Sequence, residues 1–556
     1  MRSTRRDFLA WLTKATAVGA AFPLLYGCRS DGGPLPFDGE LAGEDPTWCH
    51  SLRDGALTLP KPPAETPLLD VLIVGGGAAG AAAAWRLERA GVHKILLIEK
   101  ETELGGTSMA GRGPNGPFAW GAHYVEAPPP DARYLIDIYK DLGVITGLDD
   151  GWPIIDPQYV VPELEAKLLA GNEWAEGLFP YALASSADVS EYERFRQDLY
   201  RWSKWRDEES RPAFGRPLEA LSAAEEPRRL DEMTMLEYLD KIGVRSKLVK
   251  WLVNNRMMDE YGLTLDQVSA WAGVQFWAQS NSSLIDFEEP LERAPQTLSW
   301  QEGNSFLVNG MTRRLRSDQL ALGTIAVRIE RTAEGVQATL LDVKSGAFSH
   351  VKARQAVFAA PKHTAPHVIP ELKTAGRTEF ARLEYVPWLT AAVHLSSGEI
   401  DAAVPPSWET LAFEGWGLGY IDNGHLDANR PFGAARTLTF YAALTPDIHE
   451  QRSLLLKEGW EFWARVVLEE MERMHPNIRQ QIERIDIRKW GHAMAAAKPG
   501  SVWGSDREAM RRPFGQIHFA GADIGGAPVF EQAARTGVEA AEAALSGLGR
   551  SYVSAL

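Results

Sequence analysis

The sequence predicts an α/β fold, in which a nucleotide-binding domain built on a βαβ unit is interleaved with an α+β domain. Three observations predict it. A strand, a glycine-rich turn, a helix, a second strand and an acid follow one another from Asp70 to Gly106. Strand-like segments return at 325–360 and again at 517–519, far along the chain. Between these returns lie two long stretches with their own helical and strand patterns.

The first element is Val71–Val74, a short apolar run that reads as a buried strand. Gly75-x-Gly77-x-x-Gly80 follows at once, then an Ala-rich helix from Ala81 to Arg89, closed by Gly91. Ile95–Ile98 is the second strand and ends on Glu99. This is the dinucleotide-binding fingerprint of a Rossmann-like domain. Gly75 permits the tight turn, Gly77 lets backbone approach a pyrophosphate, and Gly80 lets helix and strand pack closely. The helix N-terminus offers free N–H groups to phosphates. Glu99 stands where a carboxylate accepts ribose hydroxyls. Ala79 in the turn and Lys100 after the acid complete this group of cofactor candidates.

At 556 residues the chain is too long for one simple core, so two intertwined domains are expected. Hydrophobic residues at 45% and charged residues at 24% describe an ordinary globular protein. A net charge of −16 argues against a nucleic-acid partner and against a broad basic membrane face. Nineteen tryptophans furnish either a large aromatic core or an aromatic substrate chamber. The two cysteines, Cys28 and Cys49, leave no room for a disulfide framework or a cysteine-ligated metal, and no metal site is expected. His363 and His367 are four apart, but Pro366 spoils the helical face a metal would use. There is no GxSxG elbow, Walker loop or HExxH.

The N-terminus, residues 1–28, reads as a targeting segment. Arg5-Arg6 followed by Phe8-Leu9 resembles the twin-arginine export signal, which implies export of an already folded protein to the periplasm or cell envelope. Leu25-Tyr26-Gly27-Cys28 resembles a lipobox, which implies a lipidated Cys28 and a membrane-anchored lipoprotein; the alternative is a cleaved signal with an incidental cysteine. Residues 29–66, rich in Gly, Pro and acids without a sustained period, read as a linker.

After Glu99 come Gly105-Gly106 and then Phe118-Ala119-Trp120-Gly121-Ala122-His123-Tyr124. From here the chain resembles the flavin amine oxidase and phytoene desaturase superfamily, whose pattern is a Gly-Gly-Arg turn and then a segment beside the flavin ring. Thr107 stands where that arginine is usual, and Arg112 is a candidate to replace its charge. Residues 131–300 read as mostly helical: Tyr192, Phe195, Leu199 and Trp202 form a stripe, and Thr234 to Glu237 a capping box. Ser305 to Met311 resembles the return to the flavin domain, with Asn309-Gly310 in place of a Gly-Gly turn. Strands are expected around Ile325–Ile329, Val336–Leu341, Ala356–Ala360, Ala391–Leu395 and Thr437–Tyr441, and a helix from Glu450 to Met474. The resemblance places backbone groups of the Val327 strand beside the adenine and Ala360 at the end of the returning strand.

Phe519-Ala520-Gly521-Ala522-Asp523 and then Glu531 to Gly537 keep the order of the family's C-terminal motif, with Gln532 for the usual glycine. The resemblance implies FAD, Asp523 near the ribitol or phosphate, and the start of the helix at Gln532 and Ala533 facing the flavin's pyrimidine edge; because no cysteine follows Cys49, the FAD is expected to be non-covalent. It implies an FAD domain at 67–130, 301–383 and 501–550, and a substrate domain at 131–300 and 384–500.

Catalytic residues are less legible. The family often holds a lysine near flavin N5, and alignment on Pro361 puts His367 at about that place, with Lys362 earlier. The paired tyrosines that sandwich an amine are not evident; Val529 or Phe530 holds one position. Trp490, His492 and Lys498 are substrate-side candidates. The expected function is hydride transfer between flavin N5 and a C–N or C–C bond of a bulky organic substrate, with oxygen, a quinone or a protein as electron acceptor. A non-enzymatic flavin lipoprotein serving as electron carrier is one alternative. An NAD(P)-dependent dehydrogenase is another, although it accounts for neither Gly105-Gly106 nor the C-terminal motif.

Overall fold

Val71, Leu72 and Ile73 are sealed from water at the centre of a seven-stranded sheet. The computed structural model describes residues 34–43, 45–63, 65–279, 296–398, 406–427, 429–431 and 433–556. Cys28 and the twin-arginine segment lie outside them.

The elements of the sheet are β1 (Leu68–Val74), α1 (Ala78–Arg89), β2 (Ile95–Ile98), β3 (Thr324–Thr332), β4 (Gly335–Asp342), β5 (Phe348–Phe358) and β6 (Ile517–Phe519), with a helix α2 (Phe530–Gly547). A two-residue strand, Leu320–Ala321, completes the seven. β1 pairs in parallel with β2 on one side and β5 on the other, and β5 pairs in parallel with β6. Strands from three distant parts of the chain thus end together, and ligands in such sheets bind outside their carboxyl ends. α2 crosses α1 so closely that a Cβ on Gly537 would collide with the Ala79 carbonyl.

The second domain is an eight-stranded mixed sheet with Tyr385–Leu395 near its centre, between Ile482–Ala495 and Arg436–Ala443. Its faces alternate as strand geometry requires. Leu389, Ala391, Val393 and Leu395 pack under the helix Trp460–Met474. Val386, Trp388 and Ala392 face the helices Ser186–Lys204, Lys247–Tyr261 and Ala270–Gln279. The Tyr192, Phe195, Leu199 and Trp202 stripe is buried on the first of these. The capping box forms as the sequence predicts: the Glu237 N–H donates to Thr234 Oγ1 at 3.2 Å and the Thr234 N–H to Glu237 Oε2 at 2.8 Å.

Four expectations need correcting. The described part of 29–66 is not a loose linker: Leu41–Gly43 adds a parallel strand to Ile487–Lys489, and the helix Thr47–Arg53 docks on the seven-stranded sheet, where the Trp48 indole donates to the Val343 carbonyl at 2.9 Å. Trp48 covers Ile325, Val327 and Leu341, and this burial outweighs the low apolar content of its neighbours. Residues 131–300 carry the strand pairs Ile145–Asp149 with Trp152–Ile155 and Ala166–Ala170 with Glu173–Glu176, besides their helices. Asn309-Gly310 is no left-handed turn; it lies inside the helix Ser305–Thr312, where glycine lets the helix approach Leu142. The helix expected over 450–474 is two, Ile448–Lys457 and Trp460–Met474, parted at Glu458-Gly459.

Candidate active site

The glycine turn has the geometry its residues require. Gly75 adopts φ +104°, and a Cβ there would press on the Ala360 N at 2.9 Å. A Cβ on Gly80 would collide with the Gly75 carbonyl, so only glycine lets α1 begin so close to β1. Gly77 differs. A Cβ there meets nothing nearer than 3.8 Å, and only the backbone of Gly105 and Gly106 bounds the space. Gly105 and Gly106 both take positive φ, and the Gly105 N–H donates to the Gly76 carbonyl at 3.0 Å. Backbone therefore walls an open channel at the N-terminus of α1, the arrangement a diphosphate needs. Glu99 sits at one end of this channel, receiving the Gly76 N–H at 2.7 Å and the Glu101 N–H at 2.9 Å. Burial raises its carboxyl pKa, against the pull of those two donors.

Beyond the channel, Lys362 is fully buried and Asp523 nearly so. Their Nζ and Oδ1 lie 3.2 Å apart. Asp523 Oδ2 also accepts from the Tyr385 hydroxyl at 2.6 Å and the Lys362 N–H at 2.9 Å. Asp523 lies beside Gly521; its Oδ2 is taken up by protein, whereas its buried Oδ1 faces Lys362 as an ion pair but has no hydrogen-bond partner. Burial pulls the Lys362 pKa down, while Asp523 supports its charge.

Gln532 and Ala533 lie in the first turn of α2. Gln532 is fully buried, and neither of its amide atoms has a hydrogen-bond partner. A buried amide with both a donor and an acceptor unmet is costly unless a ligand supplies them. With the open wall at Gly77, this orphaned amide is what a flavin dinucleotide would satisfy, so the residues fit the group.

Gly121 and Ala122 border the next stretch. The Ala122 N–H donates to the Thr107 carbonyl at 3.3 Å, and Trp490 comes within 3.9 Å of where a Gly121 Cβ would stand. Trp490 is buried, with its indole N–H on Thr390 Oγ1 at 3.0 Å and the Arg488 guanidinium 4.3 Å above its ring. Of the three catalytic candidates it alone reaches the flavin-flanking loop.

The other placements differ from expectation. His367 faces Arg53, Asp54 and Lys373, because the turn Lys362–Thr364 runs into the helix Ala365–Val368 and swings it outward. Its neighbour His363 faces inward, stacked on His492 with ring centres 4.7 Å apart and edge-on to Tyr385. Lys498 is half-exposed and ion-paired with Glu384. Lys100 turns to Glu101, 2.5 Å away, and toward the Asp45 carbonyl. Arg112 is exposed on the hairpin Ala110–Ala119, whose inward positions are Gly111 and Gly113. For Val327 the expectation concerns backbone groups of its strand and is not among these departures; its side chain is buried at a bulge in β3, against the Trp48 cluster.

Where the two domains meet, the structure assembles groups that no local motif announces. Arg216 places one arm 3.2 Å from Glu531 Oε1 and the other 3.4 Å from Glu260 Oε1. Glu126 is buried beside them, and the Tyr124 hydroxyl donates to Glu260 Oε2 at 2.9 Å. Burial pushes the Glu260 pKa up to about 7. A second arginine, Arg256, grips Glu409 at 2.9 Å and Asp259 at 3.2 Å. Tyr441 donates to Glu409 at 3.1 Å, stacks with Trp388 and, with Trp408, flanks His123. Sequence reasoning missed this group. Its one signal was the run Asp259-Glu260-Tyr261, two acids at the end of a helix whose buried face they share.

A family model for flavin-containing amine oxidoreductases matches residues 78–545. The chain belongs to that family. It is an FAD-dependent oxidoreductase. Cyclohexylamine oxidase from Brevibacterium oxydans IH-35A superposes with a TM-score of 0.63 at 19% identity, over 87% of this chain and 100% of that one. Putrescine oxidase bound to putrescine gives 0.64 at 18% identity, over 87% and 100%. A putative protoporphyrinogen oxidase from Exiguobacterium sp. 255-15 gives 0.59 at 16% identity, over 86% and 99%. These likenesses are of fold. Comparison with curated proteins gives no match. Among the described residues no helix is long and apolar enough to cross a membrane, and no group of three or more His, Cys, Asp or Glu could hold a metal ion.

Proposed function

We propose that this flavoprotein removes a hydride from the carbon beside the nitrogen of a bulky organic amine. The observation that carries the reading is the buried excess of carboxylates over guanidinium groups at the domain junction. Among the described residues, Glu126, Asp259, Glu260, Glu409 and Glu531 face the two guanidinium groups of Arg216 and Arg256, with Tyr124, Trp388, Trp408 and Tyr441 alongside. Such surroundings favour a cationic nitrogen and flat apolar groups. FAD, when bound, supplies the hydride acceptor at N5. The chain does the rest. Glu260, poised near pH 7, takes the proton from the substrate ammonium at a carboxylate oxygen, since only the free amine has a nitrogen lone pair to push. The aromatic rings hold the substrate and keep water away from the C–H bond. As hydride leaves, a C=N bond forms; water then hydrolyses it to a carbonyl compound and a smaller amine.

An anaerobic flavin-reduction screen against amines, amino acids and isoprenoids tests this. Bleaching by a bulky amine is expected; bleaching by an unsaturated isoprenoid and by no amine would overturn the C–N reading in favour of C–C chemistry. Flavin that no metabolite reduces, in a protein that binds another chain tightly, would favour an electron carrier.

The N-terminal motif supports export by the twin-arginine route and a lipid on Cys28. Mass spectrometry of the mature protein is expected to find a diacylglyceryl group there; an unmodified N-terminus elsewhere would refute the anchor.

A further inference from the structure

We infer that Arg216 is a positioning residue for the flavin, setting through Glu531 the charge felt at the start of α2 while its other arm holds Glu260 of the substrate domain. The inference rests on the flavin ring lying at that helix start. Four observations support it.

First, the helix geometry puts Glu531 in reach. α2 crosses α1 at Gly537, over the Ala79 end of the diphosphate channel. Glu531 is six residues earlier, about 9 Å further along the axis at 1.5 Å per residue. It thus stands past the diphosphate, on the side toward the rings. Second, the charges there do not balance. Glu531 receives the Glu126 N–H at 3.4 Å, and the Glu126 and Glu260 side chains are buried within the same group. Arg216 is the cation that Glu531 and Glu260 share. Third, the arginine is held in place. The Gln275 amide clamps the preceding residue, accepting the Gly215 N–H at 3.0 Å and donating to the Gly215 carbonyl at 2.8 Å. Gln275 is itself buried. Fourth, side-chain exposures of 10% for Arg216, 8% for Glu260 and 6% for Glu531 leave little water to screen these charges.

Two-electron reduction places negative charge on the flavin. Without Arg216, Glu531 would stand uncompensated beside that charge. The guanidinium therefore favours reduced flavin, and any loosening of its bond to Glu260 would bring it more fully onto Glu531. An ammonium group arriving at Glu260 would do this, so the same arginine links substrate arrival to flavin potential.

The test is potentiometry on holoenzymes whose FAD content is measured first, well above pH 7 so that Glu260 is charged. Arg216→Met is expected to shift the midpoint to more negative potential. The reduced-to-oxidised ratio at the wild-type midpoint should fall at least tenfold, about 30 mV for a two-electron couple. Arg216→Lys should recover most of this shift, and Glu260→Gln should move the midpoint the opposite way. Should Arg216→Met fail to fold, the Lys and Gln variants decide the matter. Unchanged midpoints in variants carrying full FAD would overturn the inference and leave the FAD assignment standing, whereas wild-type protein without FAD would sink that assignment instead.

Discussion

Lys362 and Asp523 form a buried ion pair, Nζ to Oδ1 3.2 Å, at the carboxyl ends of β5 and β6. The Tyr385 hydroxyl, from the substrate domain's sheet, closes the same carboxylate at 2.6 Å. One acid thus ties together two strands of the flavin sheet and a central strand of the neighbouring eight-stranded sheet.

Breaking this pair on one side leaves a charge buried without its partner. Lys362→Met and Asp523→Asn are each expected to destabilise the protein by about 3–5 kcal/mol, read by denaturant or thermal unfolding. The double variant should recover part of the loss, because neither charge then remains. Additive losses would show that the two side chains act independently.

Gly77→Glu is expected to fold and to lose FAD. The space beside Gly77 is open to 3.8 Å, so a side chain can enter it without displacing protein, but it brings bulk and negative charge into the phosphate channel. Gly80→Ala should act differently, failing in stability because its Cβ would collide with the Gly75 carbonyl. The ratio of flavin to protein absorbance, read with the melting temperature, separates the two. Stoichiometric FAD in Gly77→Glu would refute the placement of the diphosphate.

Glu260 makes stability depend on pH. Its pKa is raised by burial to about 7 from an ordinary value of 4.5. Between those values the folded state holds a proton that the unfolded chain has released, so stability falls as pH rises from about 4.5 to 7. With one pKa unit worth about 1.36 kcal/mol, the fall is on the order of 3 kcal/mol. Glu260→Gln should flatten the unfolding profile across this window. A slope that persists in the variant would assign it to another group.

Trp48→Ala probes the N-terminal strap. The indole donates to Val343 and covers Ile325, Val327 and Leu341, so its loss is expected to cost about 2 kcal/mol, less than for a fully buried tryptophan. Proteolysis before residue 60 should accelerate in parallel, since the helix Thr47–Arg53 keeps no buried residue of its own. Unchanged stability would return 34–59 to the status of a tether.

The sequence by itself determined the parts whose signals are local. The Gly75, Gly77 and Gly80 spacing, the flanking apolar strands and Glu99 specify the βαβ unit, because the tight turn admits only glycine at 75 and close helix packing only glycine at 80, while Gly77 leaves the phosphate channel open. The C-terminal motif and its order along the chain specified FAD. The stripe on Ser186–Lys204 and the capping box at Thr234 were legible for the same reason: their partners lie within one or two helical turns. What only the tertiary structure decided are contacts between residues far apart in the chain. Lys362 meets Asp523 across 161 positions. Arg216 meets Glu531 and Glu260 only once an insertion loop, a substrate-domain helix and the last helix are packed together. Whether His363 or His367 faces the site depends on how one short turn runs into the next helix. A strand's register or a helix's rotation changes which side chains face one another without changing any local motif, so the cofactor's cradle could be read along the chain and the charges at the domain junction could not.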